Sequence, residues 1–180
     1  KILKFLFNDL NNNPTMRNIS ISLGQKYPQT FKTIKNLEKN KLITLNEIGK
    51  SKVIHLNFLK DNPHYICIEI ERTNDLCEKN KEILLIKEKL KECGNFVSLI
   101  FGSHSKNKNK QNSDIDLLII IPDEKESEII KKNIKNKLSL YNIDLNIINE
   151  KSLFEMWNNK NELNIGNEIL KNHNVLTGFE

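Results

Sequence analysis

Three aspartates of this 180-residue sequence are its strongest candidates for a site of catalysis or metal binding. Asp114 and Asp116 open an apolar run, and because alternate residues of a β-strand point to the same side, we expect their side chains to project together. Asp144 lies in the next apolar run, which could pair alongside. Clustered carboxylates repel one another unless a cation lies among them, and their hard oxygen atoms suit Mg²⁺.

A Gly-Ser pair supplies the second half of this chemistry. Gly102-Ser103 directly follows an apolar run and precedes a polar loop. Glycine allows close approach of the backbone to a ligand, and free N–H groups of such a turn can receive a phosphate. Metal-binding carboxylates that face a phosphate-binding turn are the parts needed for nucleotidyl transfer by a two-metal mechanism. A Gly-Ser pair alone, or Asp-x-Asp at the start of a strand, is common turn chemistry, so the prediction depends on their conjunction.

Apolar strands must position these residues. Composition and alternation predict strands at 96–101, 117–121 and 143–148. Helical spacing predicts a helix at 126–138, between the second and third strands, whose inward residues are Ile129, Ile130, Ile134 and Leu138. Gly102-Ser103 then follows the first strand, Asp114 and Asp116 lie just before the second, and Asp144 lies near the start of the third.

The same residues carry a resemblance to a known family. Gly102-Ser103, then Asp114-Ile115-Asp116, then Asp144 one strand later resemble the pattern of the DNA polymerase β-like nucleotidyltransferase superfamily, and within it the minimal nucleotidyltransferases. The resemblance covers roughly residues 80–178, and residues 167–178 are also similar to the end of such domains.

The resemblance implies a role for each matching position. Gly102 and Ser103 would bind the β- and γ-phosphates of the nucleotide. Asp114 and Asp116 would hold two Mg²⁺ ions, and Asp144 would ligate the catalytic metal and help to activate the attacking hydroxyl. ATP would be the substrate, and AMP would be transferred to an acceptor hydroxyl.

One stretch departs from the family pattern. The family shows a small residue and then Arg-Gly soon after Gly-Ser, whereas this chain reads His104-Ser105-Lys106-Asn107. A lysine could supply the positive charge as a point charge rather than a fork. The candidates are Lys106, which we predict as a nucleotide-binding residue, and Lys108 or Lys110.

The first forty residues predict three short helices. Apolar residues at helical spacing predict a helix over 1–10. Thr15 can cap a second helix that ends just before Gly24. Pro28 is suited to the first turn of a third helix that ends near Asn40, and the expected inner face of that helix carries Phe31, Ile34 and Leu37.

A β-hairpin is predicted to follow, with strands at 42–45 and 52–56 and Gly49-Lys50 at its tip. Three helices and a hairpin in this order resemble a winged helix-turn-helix domain, most closely over residues 19–43. This resemblance implies contacts with double-stranded DNA by polar residues of the third helix and by lysines of the wing. The predicted DNA-binding residues are Gln29, Thr30, Lys32, Thr33, Lys35, Asn36, Lys50 and Lys52.

Charge supports the same division of the chain. Residues 1–60 hold 11 Lys+Arg and 3 Asp+Glu, a net of +8, whereas residues 61–180 hold 17 and 20, a net of −3. A basic module favours an anionic partner, and nucleic acid is the usual one. One plain alternative is a solvated lysine surface, because lysine outnumbers arginine 26 to 2 throughout the sequence. The other is a winged-helix module used for protein contacts.

Residues 60–93 predict linking helices. Pro63 can open the first, which carries Tyr65, Ile66, Ile68, Ile70 and Leu76, and the second carries Ile83, Leu84, Ile86, Leu90 and Cys93 before Gly94. The surplus apolar face could form a homodimer interface. The cysteines, which are Cys67, Cys77 and Cys93, are expected to be small buried residues with reduced thiols.

Several classes of protein are disfavoured. No apolar run approaches the ~20 residues that cross a bilayer, and no cleavage-site pattern follows the apolar start, so a membrane protein and a signal peptide are not expected. The cysteine spacing fits neither a metal knuckle nor a disulfide scaffold. The expected location is the cytoplasm.

The expected fold class is therefore α+β. We predict a winged helix-turn-helix domain at 1–60, a helical linker at 61–79, and a nucleotidyltransferase domain at 80–180 with a small mixed β-sheet flanked by helices. The predicted function is Mg²⁺-dependent nucleotidyl transfer coupled to a DNA-binding module. The acceptor is open: a protein tyrosine, a nucleic acid end or a small molecule such as an antibiotic. A separate helical, toxin-like partner protein is also implied by the family.

Two alternatives belong to other classes of protein. The chain could be a DNA-binding transcriptional regulator whose nucleotidyltransferase-like domain only binds nucleotide or mediates dimerisation. It could also be a structural adaptor, which would bind neither ATP nor DNA.

Overall fold

The computed structural model describes residues 1–59, 62–105, 114–159 and 163–178. The chain divides into two compact units, Lys1–Ile68 and Glu69–Glu180. Both combine helices with a small β-sheet, as the predicted α+β class requires. None of the helices in the described ranges has the length and apolar character that a bilayer crossing demands.

The first unit contains three helices followed by a β-hairpin. The helices are α1 (Ile2–Phe7), α2 (Met16–Ser22) and α3 (Tyr27–Lys39). The hairpin strands, β1 (Ile43–Ile48) and β2 (Ser51–Leu56), are antiparallel. Ile19, Ile34 and Ile54 are fully buried in the core of this unit, so both sheet and helices contribute to it.

Local signals explain the ends of these elements. The Thr15 hydroxyl accepts the Asn18 N–H, which confirms the predicted cap of α2. Gly49 has a φ of +60° between paired Ile48 and Ser51, as the first central residue of a type II′ turn does. The predicted length of α1 is wrong: α1 ends at Phe7, because the Asp9 carboxylate accepts the Asn11 N–H and starts a turn.

The inner face of α3 differs from the predicted one. Thr30 is 0% exposed and Phe31 is 43% exposed, so the two are exchanged relative to the prediction. Thr30, Ile34 and half-buried Leu37 form the face that packs inward, at the i, i+4, i+7 spacing of one helix side. A threonine can take the buried place because its methyl group packs and its hydroxyl lies 3.4 Å from the Lys26 carbonyl.

The linking helices are α4 (Pro63–Lys79) and α5 (Lys81–Leu90). The predicted apolar face of α4 is wrong at Ile66 and Ile70, which are exposed, whereas Leu76 is buried as predicted. The buried side of α4 carries Glu69, Arg72, Thr73, Leu76 and Cys77.

Other residues near these helices also differ from the expectation. Leu84 of α5 is exposed, although its neighbours Ile83 and Ile86 are buried as predicted. Cys67 is exposed, whereas Cys77 and Cys93 are buried, and all three are free thiols.

The second unit is built on a four-stranded mixed sheet. Its strands are β3 (Val97–Phe101), β4 (Ile115–Ile121), β5 (Ile143–Asn149) and β6 (His173–Thr177), in the order β5-β4-β3-β6. β4 and β5 are parallel, whereas β3 is antiparallel to both of its neighbours. This arrangement confirms the predicted small mixed sheet.

Helices cover the sheet. α6 (Gly102–Ser105) follows β3 at once, and a 3₁₀ turn, Glu124–Glu126, leads from β4 into α7 (Ser127–Lys137). α8 (Glu150–Asn158) and α9 (Ile165–Lys171) follow β5. Ile130 and Ile134 of α7 face the core as predicted, but Ile129 is 65% exposed because it lies on the other side of the helix.

Candidate functional site

The parallel pairing of β4 with β5 brings two of the predicted aspartates together. Asp116 and Asp144 are direct partners in the register, so their side chains leave the same face of the sheet side by side. Asp114 lies just before β4 and is exposed, and its carboxylate accepts a hydrogen bond from the Asn142 side chain. The third aspartate is therefore held at the same edge of the sheet by the residue that precedes β5.

Gly102 lies directly against this aspartate pair. It follows β3 with a φ of +68°, a conformation that favours glycine. A Cβ atom at this position would lie 2.1 Å from Asp116 Oδ2 and 3.0 Å from its Cγ. The Gly-Ser turn and the carboxylates thus belong to one site, and only a glycine leaves room for the Asp116 carboxylate.

The closeness of the carboxylates affects the ionisation of Asp116. Burial raises the pKa of Asp116, and the negative charges of Asp144 and, to a smaller extent, Asp114 raise it further. The same residue is half-buried, whereas Asp114 and Asp144 are exposed. Repulsion of this kind is relieved by a cation, and carboxylate oxygens are the ligands that a hard cation prefers.

His104 is a site residue that the sequence reasoning did not assign. It lies on α6 and is 6% exposed. It lowers the pKa of Asp116, whereas the charges of Asp144 and Asp114 raise it. Ser105, the next residue, donates its hydroxyl to the Gly102 carbonyl and closes the short turn. The signal that could have found His104 was its place in the stretch that departs from the family pattern.

The donor set and the geometry are consistent with a metal ion, but they do not form a complete metal site. Over the described ranges, no group of three or more His, Cys, Asp or Glu side chains is arranged to hold a metal ion. Mg²⁺ commonly takes only one or two carboxylates and completes its shell with waters and substrate phosphates. Asp116 and Asp144 fit that limited contribution.

The other predicted nucleotide contact, Lys106, lies outside the described residues. Ser103 is half-buried in α6, next to Gly102. A separate cavity of about 600 Å³ lies at the other end of the strands, near the start of β3 and the ends of β4 and β6, and its lining includes Phe96, Ile120 and Gly178. None of the three aspartates lines this cavity. We therefore assign the site to the carboxylate edge, which we define as Asp114, Asp116 and Asp144 beside Gly102.

The predicted DNA-binding residues separate into two groups. Thr30 cannot contact DNA, because it is fully buried on the inward face of α3, and this part of the prediction is wrong. The remaining ones are exposed on α3 and at the hairpin, namely Gln29, Lys32, Thr33, Lys35, Asn36, Lys50 and Lys52. Two of the lysines already have acidic neighbours: Lys35 lies 2.7 Å from Glu38, and Lys52 lies 3.1 Å from Glu47.

Comparison with known proteins gives a match to a protein family over part of the chain. No curated protein and no solved structure matches the chain. Residues 83–166 match the family described as nucleotidyltransferase domain, and this range contains Gly102, Asp116 and Asp144. The match supports placing this part of the chain in the nucleotidyltransferase superfamily, with nucleotidyl transfer as its general chemistry.

Proposed function

We propose that the second unit is a Mg²⁺-dependent nucleotidyltransferase that transfers AMP from ATP to an acceptor hydroxyl. The observation that carries the proposal is the direct pairing of Asp116 with Asp144 beside Gly102, within the range that matches the nucleotidyltransferase family. In this reaction the acceptor oxygen forms a bond to the α-phosphorus of ATP. The bond between the α- and β-phosphates breaks, and pyrophosphate leaves with the electron pair.

The residues of the chain divide the work. Asp114, Asp116 and Asp144 would hold divalent cations, which neutralise phosphate charge and lower the pKa of a bound hydroxyl. Gly102 and Ser103 would face the β- and γ-phosphates with backbone N–H groups, since no side chain intervenes at Gly102. Asp144 is exposed beside Asp116 and would accept the proton of the acceptor hydroxyl.

Transfer of label tests this proposal. The wild-type chain, incubated with ATP labelled at the α-phosphate and with Mg²⁺, should label protein, nucleic acid or small-molecule acceptors, and transfer should stop in EDTA and return with Mg²⁺. The Asp114→Asn/Asp116→Asn variant should transfer nothing.

Asp123→Asn is the matched control for this experiment. Asp123 lies just past the other end of β4, and its side chain accepts the Lys125 N–H, which an asparagine oxygen can also do. The transfer activity of the Asp123→Asn variant should equal that of the wild type. Absence of transfer from the wild-type chain to every acceptor class would refute the enzymatic proposal.

We further propose that the first unit binds double-stranded DNA as a winged helix-turn-helix. Support comes from the three helices and hairpin, from the net charge of +8 over residues 1–60, and from the exposed polar side of α3. Lysines that neutralise phosphates make affinity fall with salt, while Gln29 and Asn36 have the groups that read adenine.

A gel shift with salt titration tests DNA binding. The dissociation constant should rise with salt, and Lys32→Gln should weaken binding and reduce the salt slope by about one. Lys132→Gln removes the same charge from exposed α7 of the other unit and should change neither quantity. Binding that ignores salt, or equal effects of both substitutions, would contradict the proposed interface.

The second candidate function is that of a DNA-binding transcriptional regulator whose nucleotidyltransferase-like domain only binds nucleotide or mediates dimerisation. The observation that favours it is the stretch 104–107, which lacks the arginine and glycine of the family pattern and places buried His104 beside Asp116. An ATP-dependent change of DNA affinity in the absence of label transfer would support this candidate over the enzyme.

A further inference from the structure

The edge strand β6 is held by side chains of α4 rather than by another strand. β6 pairs with β3 on one side and ends the described sheet on the other. On the free side, an Arg72 N–H donates to the His173 carbonyl and the Thr73 hydroxyl donates to the Val175 carbonyl. The backbone of Val175 also lies near enough to Glu69 to lower the pKa of that carboxyl, against the larger raising effect of burial.

These three side chains form a buried clamp, which we define as Glu69, Arg72 and Thr73. The exposures of the three are 8%, 5% and 0%. The Arg72 guanidinium uses one nitrogen for Glu69 and another for His173, so it joins the helix to the strand. Burying an ion pair costs several kcal/mol per ion in desolvation, so its presence here calls for a reason beyond simple stability.

The identity of residue 72 is informative in this chain. Only two arginines stand among 28 basic residues, so composition alone would place a lysine at position 72. The planar guanidinium can serve two acceptors at once in fixed directions, whereas the lysine ammonium is a point charge on a flexible stem. The clamp therefore uses the geometric property that distinguishes arginine from lysine.

The clamp lies one strand away from the candidate site. His173, whose carbonyl Arg72 holds, is the register partner of Phe101. Phe101 is followed directly by Gly102, which touches Asp116. A shift of β6 would consequently pass through the β6–β3 pairing to the turn that faces the aspartates, and a misplacement of about 1 Å in such a site can cost about 100-fold in rate.

We propose that Arg72 is a positioning residue for the Gly102–Ser103 turn, which it holds in place through His173 and the end of β3. The nucleotide part of this inference rests on the proposed function, but the positioning part does not. Glu69, Arg72 and Thr73 all precede the matched range 83–166, so the clamp adds to the part of the chain that the family describes.

Hydrogen exchange in the free protein tests the positioning directly. In Arg72→Lys, the amides of residues 99–103 should exchange about tenfold faster or more, while those of α7 in the same unit keep their rate. Arg17→Lys changes the other arginine, which is exposed on α2, and should leave both sets unchanged. An unchanged rate at 99–103, or an equal increase in α7, would overturn the inference, because either result describes no local role.

Nucleotide affinity is the second readout. With a non-hydrolysable ATP analogue and Mg²⁺, at a temperature where both proteins are folded, Arg72→Lys should bind about tenfold more weakly or worse, and Arg17→Lys should bind as the wild type does. A lowered melting temperature with an unchanged dissociation constant would reduce Arg72 to a structural residue. If the wild type binds no nucleotide but exchange at 99–103 still increases, the proposed function fails and the positioning role stands.

Thr73→Val keeps the test decisive if Arg72→Lys does not fold. Valine preserves the shape of threonine and removes only the hydroxyl that donates to the Val175 carbonyl. The same local increase in exchange at 99–103 is expected, at a smaller size. Wild-type rates at 99–103 in Thr73→Val would overturn the clamp as the holder of the turn.

Discussion

At the residue scale, the meeting of Gly102 with Asp116 shows how one backbone position can determine a whole site. A side chain at position 102 would need both a left-handed backbone and the space that the Asp116 carboxylate occupies. Gly24 and Gly49 share a φ of +60° but have nothing within 4 Å of an added Cβ atom. The chain therefore contains internal controls that separate backbone strain from steric conflict.

We expect Gly102→Ala to reduce nucleotidyl transfer at least about 100-fold, because the new methyl group displaces the Asp116 carboxylate. Gly24→Ala should cost about 1 kcal/mol of stability through its positive φ and leave the transfer rate of the folded protein unchanged. Label transfer by the two purified variants, with folding checked by circular dichroism, measures the difference. Equal activities would show that Asp116 does not need its observed position.

His173 predicts a dependence of stability on pH. Burial, and then the positive charge of Arg72, lower the pKa of His173 from 6.5 to about 4. Between pH 6.5 and about pH 4, His173 is therefore protonated in the unfolded chain and neutral in the folded chain. The free energy of unfolding should consequently fall as the pH drops through this window. The fall amounts to about 3 kcal/mol at 1.36 kcal/mol per pKa unit.

Two neighbours bear on this prediction. Glu69 Oε1 lies 3.9 Å from His173 Nε2, and burial raises the pKa of Glu69. Glu69 therefore binds a proton more readily in the folded chain than in the unfolded chain. This offsets part of the loss of stability near pH 4. Arg72 keeps its charge throughout the window. Urea titrations between pH 4 and 7, followed by the fluorescence of the single tryptophan, Trp157, measure the slope.

His173→Asn is the control for the pH dependence. Nδ1 of His173 lies 2.7 Å from the Ile169 carbonyl, and an asparagine amide can donate from a similar place without titrating. The variant should show a flatter dependence of stability on pH between 6.5 and 4. Parallel curves for the variant and the wild type would mean that the titrating group is elsewhere.

At the scale of elements, α3 shows how a helix chooses its buried side. Its apolar residues alone allow either Phe31 or Thr30 to face inward beside Ile34. Packing of α3 against α2 and β1 buries Thr30 and leaves Phe31 partly in contact with Tyr27, whose ring centre lies 6.5 Å away. The exposed aromatic residue then lies on the same helix as the lysines proposed to contact DNA.

Two serine substitutions on α3 test this orientation. Thr30→Ser removes a fully buried methyl group and should destabilise the first unit by about 1 kcal/mol. Thr33→Ser makes the same chemical change on the exposed side and should change stability by less than about 0.3 kcal/mol. Hydrogen exchange of the amides of residues 16–39 measures both. Similar effects of the two substitutions would contradict the observed burial of Thr30.

At the scale of the whole molecule, the compact unit and the matched family range begin at different residues. The second unit starts at Glu69, within α4, whereas the family match starts at residue 83. The buried residues of α4 that fall in between include Leu76 and Cys77 as well as the clamp. Leu76 and Cys77 belong to the same apolar core as the strands of the sheet, so we expect the unit to need α4.

Two truncated chains test that expectation. A chain that begins at Pro63 keeps all of α4 and should unfold cooperatively, as reported by Trp157. A chain that begins at Lys81 lacks buried Leu76, whose loss alone is expected to cost about 2–5 kcal/mol of a total of about 5–15 kcal/mol. It should unfold at a clearly lower urea concentration. Equal midpoints would show that α4 adds nothing to the fold.

Much of the architecture could be predicted from local patterns. The cap at Thr15, the hairpin tip at Gly49 and the three strands that carry or precede the site residues follow from residue types and spacing, because these signals act over a few neighbouring residues. The same spacing predicted that Asp116 and Asp144 would share an edge of a sheet, and the parallel register of β4 and β5 places them as direct partners.

Residue types and strand alternation were enough to predict that Asp114 and Asp116 project together and that Asp144 could lie on a neighbouring strand, because alternation acts over a few neighbouring residues. The folded structure was needed to show that Thr30 is buried and Phe31 exposed, that His104 is near enough to Asp116 to lower its pKa, and that Arg72 holds β6. The physical reason is distance along the chain. Helical periodicity states which residues share a side, but the side that is buried depends on partners up to about 100 residues away, such as His173 for Arg72.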